Sequence, residues 1–201
     1  MFGASFAVIG FFLQALLYPM QNVDWIYNGA LAIFFIEFLS IHSSGMIGGL
    51  AQEKQRAIKE GNSINIKIRD NAIFFLIFYG IFTVAISAIF KVWFLPLYFI
   101  ASTYIKISEV TRLDLPTKQL TNAKFVFIIL LFLGTTFLTV YTMSLWTWLF
   151  PFPEAVLAAR PPNASGIFVE TPQTLLVWGV LYFSIHLLIN IYILIKPKKL
   201  N

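Results

Sequence analysis

Three side chains of this chain have the chemistry to titrate or ligate from inside an apolar segment: Glu37, His42 and His186. The last two are its 2 histidines. A charged group at the centre of a bilayer costs about 2.5–3.5 kcal/mol on insertion scales unless it is paired or wetted. Burial favours a neutral carboxyl, whereas a neighbouring imidazolium favours the carboxylate. Those opposed tendencies suit a gated proton or cation relay, with Glu37 as the titrating group and His186 as its partner.

Helical spacing constrains how the three can meet. His42 follows Glu37 by five residues, about 7.5 Å along a helix and about 140° around it. Glu37, Ser40, Ser44 and Gly48 therefore share one stripe, and His42 shares another with Gly45 and Gly49. Small and polar residues on two faces predict close neighbours on both sides. Trp178, Tyr182, His186 and Asn190 recur every four residues as a single aromatic-to-polar stripe. Asn190 is placed to bond a ring nitrogen of His186 and fix its tautomer.

Two other chemistries compete with the relay. His42 and His186 could ligate one b-type haem axially from facing helices, with the aromatic surroundings suiting a porphyrin. A metal bound by two histidines and a carboxylate would need Glu37 and His42 to converge, which their angular separation opposes unless a π-bulge intervenes. Alternatively, the polar groups bond across an interface, and the chain is an accessory subunit of a larger membrane assembly or a homo-oligomer.

The elements that position these groups follow from composition. Of 201 residues, 59% are hydrophobic and 11% charged, against about 45–50% and about 25% in an ordinary globular domain. With a mean hydropathy of +0.80, the surrounding solvent must be lipid, which excludes a soluble enzyme or nucleic-acid binder. The net charge of +5 fits basic cytoplasmic loops facing anionic headgroups. The absence of cysteine removes disulfides, thiolate metal sites and cysteine nucleophiles.

A spanning helix takes about 20 apolar residues. Helices are expected at about 2–19, 25–51, 71–90, 92–107, 124–150 and 173–195, making a single all-α transmembrane domain of six helices, or five if 92–107 lies along the surface. No Lys or Arg precedes the first run, and Tyr18-Pro19 closes it without a cleavage site, so it reads as a retained helix. With six spans, all 14 basic residues except Lys91 and Arg160 fall on one side. That bias places both termini in the cytoplasm. Trp25, Trp93, Trp146, Trp148 and Trp178 then lie near outer helix ends, as an aromatic belt should.

The loops carry weaker signals. Gly61-Asn62 divides 52–70 into a helical extension and a piece whose Ile64, Ile66 and Ile68 alternate as in a strand or an interfacial segment. Segment 151–172 holds Pro151, Pro153, Pro161, Pro162 and Pro172, which predicts a stiff, irregular connection. Asn163-Ala164-Ser165 fits a glycosylation acceptor on the outer side. Thr135, Thr139, Thr142 and Trp146 form a packing stripe whose threonine hydroxyls are expected to bond their own helix backbone.

Enzyme templates are missing. There is no zinc-protease helix, serine-hydrolase elbow, phosphate loop or Asp-rich metal motif. Asp24, Glu109 and Asp114 lack histidine neighbours in sequence, and Ser43-Ser44 diverge in direction from His42. The expectation is a small multi-pass protein of a bacterial cytoplasmic membrane, in contact with lipid and not nucleic acid. Its intramembrane polar site, Glu37, Ser40, His42, Ser44, His186 and Asn190, would serve proton-coupled transport or bind an ion or small ligand.

Overall fold

The structure, a computed structural model, describes residues 2–60, 65–100, 118–162 and 164–195. It is mostly helical, with no strand among the described residues. In chain order the helices are α1 (Phe2–Leu17), α2 (Ala30–Lys59), α3 (Asn65–Phe90), α4 (95–100), α5 (Lys118–Tyr141), α6 (Met143–Leu149), α7 (Glu154–Ala158), α8 (Ile167–Glu170) and α9 (Pro172–Ile195). A 3-10 turn at Pro19–Gln21 and a π turn at Trp25–Gly29 lead into α2.

Among the described residues, three segments are long and apolar enough to cross a membrane: Trp25–Ser43, Ile73–Phe90 and Pro172–Ile189. A fourth is broken. Val126–Tyr141 and Met143–Leu149 meet at a 67° bend, where a straight helix over 124–150 was expected. Side-chain chemistry accounts for the bend. Thr142 Oγ1 donates to the Leu138 carbonyl at 2.6 Å, and the next backbone bond, Leu145 N–H to Thr142 O at 3.0 Å, is the tighter three-residue kind. Threonine back-bonding of this sort bends helices. The hydroxyls of Thr135, Thr136 and Thr139 bond their own helix in the same way.

Other expectations are corrected. Ile66 and Ile68 belong to the first turns of α3, not to a strand-like piece. An isolated strand has no ladder partner, whereas continuing the helix satisfies its backbone internally. Ile64, the Gly61-Asn62 break, Asn163 and the end of the expected fourth helix, 101–107, lie outside the described residues. The proline-rich segment contains two short helices, α7 and α8. Pro153 caps α7 and Pro172 opens α9, positions where proline's missing N–H is not needed. Pro96 likewise sits in the first turn of α4.

A one-residue reversal joins α3 to the turn before α4. Lys91 has φ 56°, the left-handed conformation usually filled by glycine. Val92 N–H reaches the Ser87 carbonyl at 2.9 Å and Lys91 N–H the Ala88 carbonyl at 3.4 Å. Those are the two bonds of a Schellman motif, and they hold a lysine where it costs about 1 kcal/mol.

The chain divides into two compact units: Met1–Leu31 with Leu130–Asn201, and Ala32–Ile129. In the first, α1 packs along α9. Phe12 lies 6.4 Å from the Trp178 ring and 6.0 Å from Phe183, while Phe132 meets Trp178 and Tyr182 edge-on. A methyl group on Gly179 would come within 2.3 Å of the Phe12 ring, so this crossing depends on glycine's missing Cβ. Trp178 is fully buried in this cluster and is a core residue, not part of an aromatic belt. Trp93 and Trp148 are well exposed. Two long-range bonds pin the connections of this unit: Tyr27 Oη donates to the Val156 carbonyl at 3.1 Å, and Gln173 Nε2 to the Phe150 carbonyl at 3.2 Å.

Candidate functional site

The second unit assembles its polar groups along α2. That helix is regular through Glu37 and His42, and the π turn lies upstream at Trp25–Gly29. No bulge therefore draws the two side chains together, and they remain about 140° apart. Each has a tyrosine partner instead.

His42 Nδ1 is hydrogen-bonded to the Tyr79 hydroxyl of α3. The Tyr79 ring meets the imidazole edge-on at 5.7 Å, and Phe38 stacks on its other side at 6.5 Å. Tyr79 is buried and leans on Phe99 of α4. Next to Phe99, Tyr98 Oη donates to Glu37 Oε1 at 3.5 Å, a long hydrogen bond. Glu37 is half-buried, whereas His42 is exposed. Two adjacent aromatic residues of α4 thus serve Glu37 and His42, the titratable groups in the apolar part of α2: Tyr98 bonds the carboxyl directly, and Phe99 supports the tyrosine that bonds the imidazole.

The tyrosine at 79 heads a buried polar row on α3. Thr83 Oγ1 donates to the Tyr79 carbonyl at 2.8 Å, and Ser87 Oγ to the Thr83 carbonyl at 2.7 Å. Thr83 and Ser87 are fully buried. Tyr79, Thr83 and Ser87 are the hydroxyl-bearing residues of 73–90 and recur every four positions. That spacing was visible in the sequence, and attention to titratable groups alone passes over it. Tyr98 had no such signature, because its role depends on how α4 lies against α2.

The remaining expected site residues divide between the units. Ser40 lies on α2, half-buried, and its carbonyl accepts from the buried Ser43 hydroxyl at 2.9 Å. Ser44 and Asn190 occupy α2 and α9, with side chains outside the described set. His186 belongs to the first unit, half-buried and stacked on Tyr182 at 6.2 Å and 15°. Tyr182 in turn stacks on Trp178 at 5.2 Å and 9°. The four-residue stripe of α9 is thus a ladder of parallel rings ending in an imidazole.

Among the described residues, no three His, Asp or Glu side chains come together to hold a metal ion. The arrangement is suited to exchanging protons between hydroxyl, carboxyl and imidazole groups, each of which can give or take one. No family model, curated relative or solved structure matches this chain.

Proposed function

We propose that this chain is a multi-pass integral membrane protein of six spans, with both termini cytoplasmic, that couples transport to proton movement through Glu37. The source membrane in this proposal is a bacterial cytoplasmic one. The observation that carries it is the pairing of the two titratable groups in the apolar part of α2 with tyrosine hydroxyls, Glu37 with Tyr98 and His42 with Tyr79. A neutral hydroxyl partner meets the hydrogen-bonding need of a carboxyl or imidazole in an apolar segment without locking it into an ion pair. The group then stays free to change its charge. A purely structural cross-link would be better served by a pair that holds one protonation state.

In this proposal Glu37 takes up and releases the proton, and the Tyr98 hydroxyl follows the carboxyl's charge. His42, about 7.5 Å nearer the side assigned to the cytoplasm, is the next station. His186, with Asn190, is a second titratable element on α9. The transported solute is an ion or small polar molecule small enough to share such a site.

Purified protein in liposomes loaded with a pH-sensitive dye provides the test. Under an imposed proton gradient with a membrane potential, the wild type is expected to acidify the lumen above the protein-free rate. Glu37→Gln is expected to abolish that flux at unchanged expression and elution volume. An E37Q variant that conducts like the wild type would overturn the assignment. Failure of that variant to fold would favour a structural carboxyl in an accessory subunit.

A further inference from the structure

We infer that α6 is an interfacial helix. It lies in the headgroup layer of a lipid bilayer, at the membrane face from which α9 starts, and holds the chain there through Trp148 and Tyr141. The inference rests on the chain being in a membrane and not on the transport reading. Two hydrogen bonds fix the level of α6. Gln173 Nε2, in the first turn of α9, donates at 3.2 Å to the carbonyl of Phe150, the residue that closes α6. Further along, the Val156 carbonyl accepts from Tyr27 Oη at 3.1 Å. Gln173 and Tyr27 stand at the starts of Pro172–Ile189 and Trp25–Ser43, both apolar enough to cross a membrane. The chain from Phe150 to Val156 is thereby tied to the first turns of two spans, at the rim of the hydrocarbon and not within it.

The backbone at the bend points to the same level. α5 has 24 residues, about 36 Å of helix against about 30 Å of hydrocarbon, so it can span without α6. α6 then leaves it at 67°, which turns the chain from the membrane normal toward the membrane plane. The start of α6 has no side-chain cap, because the Thr142 hydroxyl turns back to the Leu138 carbonyl. The first N–H groups of a helix have no partner inside it. Acyl chains offer them none, whereas the headgroup layer supplies water and ester carbonyls.

The side chains agree with the backbone. α6 packs on α9, with Trp146 and Thr147 half-buried. Away from that contact, Trp148 is 75% exposed, Leu145 and Leu149 are exposed beside it, and Tyr141 at the bend is 91% exposed. An indole or a phenol has an apolar body for acyl chains and one polar N–H or O–H for the ester oxygens. Such rings settle where both are within reach, at the headgroup level. α6 carries no charged residue, so the contact is with the glycerol-ester region and does not depend on lipid charge.

The chain has no cysteine, so single-cysteine variants take a fluorophore at one place. Phe137→Cys, Tyr141→Cys and Leu149→Cys replace exposed side chains and leave the packing intact. Each is labelled, reconstituted in phosphatidylcholine vesicles and quenched by lipids spin-labelled in the headgroup or along the acyl chain. The label at 137 is expected among the acyl chains, and those at 141 and 149 in the headgroup layer. With α5 near the membrane normal, about 12 Å of helix tilted by 67° changes depth by about 5 Å between 141 and 149, against about 12 Å in a continuous helix. A difference near 12 Å, or a label at 149 as deep as that at 137, would overturn the inference in favour of a straight span or a re-entrant loop. A 149 label that no lipid quenches places α6 in water or under a protein partner, which iodide distinguishes, and also overturns it. So would a 149 label that reaches the headgroup layer only when phosphatidylglycerol is added. Trp148→Ala is expected to reduce headgroup quenching at 149, and Trp148→Tyr to preserve it; indifference to both would remove Trp148 as the anchor. If no lipid quenches the label at 137, the membrane reading itself fails.

Discussion

The two units of this chain differ in how many aromatic rings they bury. In the unit formed by 1–31 and 130–201, rings are the core: Phe12, Trp178, Tyr182 and Phe183 are buried against one another. In the unit 32–129, many rings lie outside, with Phe38, Phe74, Phe78 and Phe82 exposed, while the buried set includes Ser43, Tyr79, Thr83 and Ser87. In lipid, burying an apolar ring yields packing contacts but no escape from water, so an aromatic core stabilises chiefly by its fit. Burying hydroxyls yields hydrogen bonds and leaves groups able to move protons. The first unit buries hydroxyls too, at Thr135, Thr139 and Thr174, but packs large rings at its centre, whereas the buried rings among the described residues of the second are Tyr79 and Phe99.

The comparison can be broken most decisively at Trp178. Trp178→Ala removes a fully buried ring that touches Phe12, Phe132, Tyr182 and Phe183. A loss of about 3–5 kcal/mol is expected in reversible detergent unfolding. A loss below about 1 kcal/mol would show that the ring cluster is loosely packed and end the contrast between the units.

Gly179→Ala tests the same core from the other direction. The added methyl meets the Phe12 ring, and about 1–3 kcal/mol should be lost as the α1–α9 crossing opens. Adding Phe12→Leu should recover part of that loss, since the smaller side chain leaves room for the methyl. If the double variant is no better than the single one, the close approach is not what limits this site.

The smallest stability effect is expected in the polar unit. Tyr79→Phe removes the hydroxyl bonded to His42 and leaves the ring on Phe99 in place, at a cost of about 0.5–1.5 kcal/mol. Its effect on proton flux should be large by comparison, about tenfold if His42 is a station in the path. Unfolding and liposome flux measured on one preparation separate the two. A variant that loses stability and flux in proportion would make Tyr79 a packing residue like those of the other unit.

Much of the site's composition was legible in the amino-acid order. Glu37, His42 and His186 stand out because titratable groups are rare in apolar runs, and the α9 stripe is realised as the stacked rings of Trp178, Tyr182 and His186. Their partners were not legible. Tyr79 is separated from His42 by 37 positions and Tyr98 from Glu37 by 61. No periodicity within a helix reports a contact across that distance. Trp178 shows the limit in another form: its place near a helix end suggested a headgroup anchor, and packing made it core.

By itself, the sequence determined that this chain is helical and belongs in lipid. Composition and run length act residue by residue, and a backbone in hydrocarbon must satisfy its hydrogen bonds internally. It also determined which side chains would be costly to bury. Tertiary structure alone decided which hydroxyl meets which titratable group and that Trp178 is buried among rings of its own unit. Those outcomes depend on how particular side chains meet across helices. In a membrane, where lipid is as apolar as leucine, hydrophobicity does not choose among helix faces, so fit and hydrogen bonding make the choice.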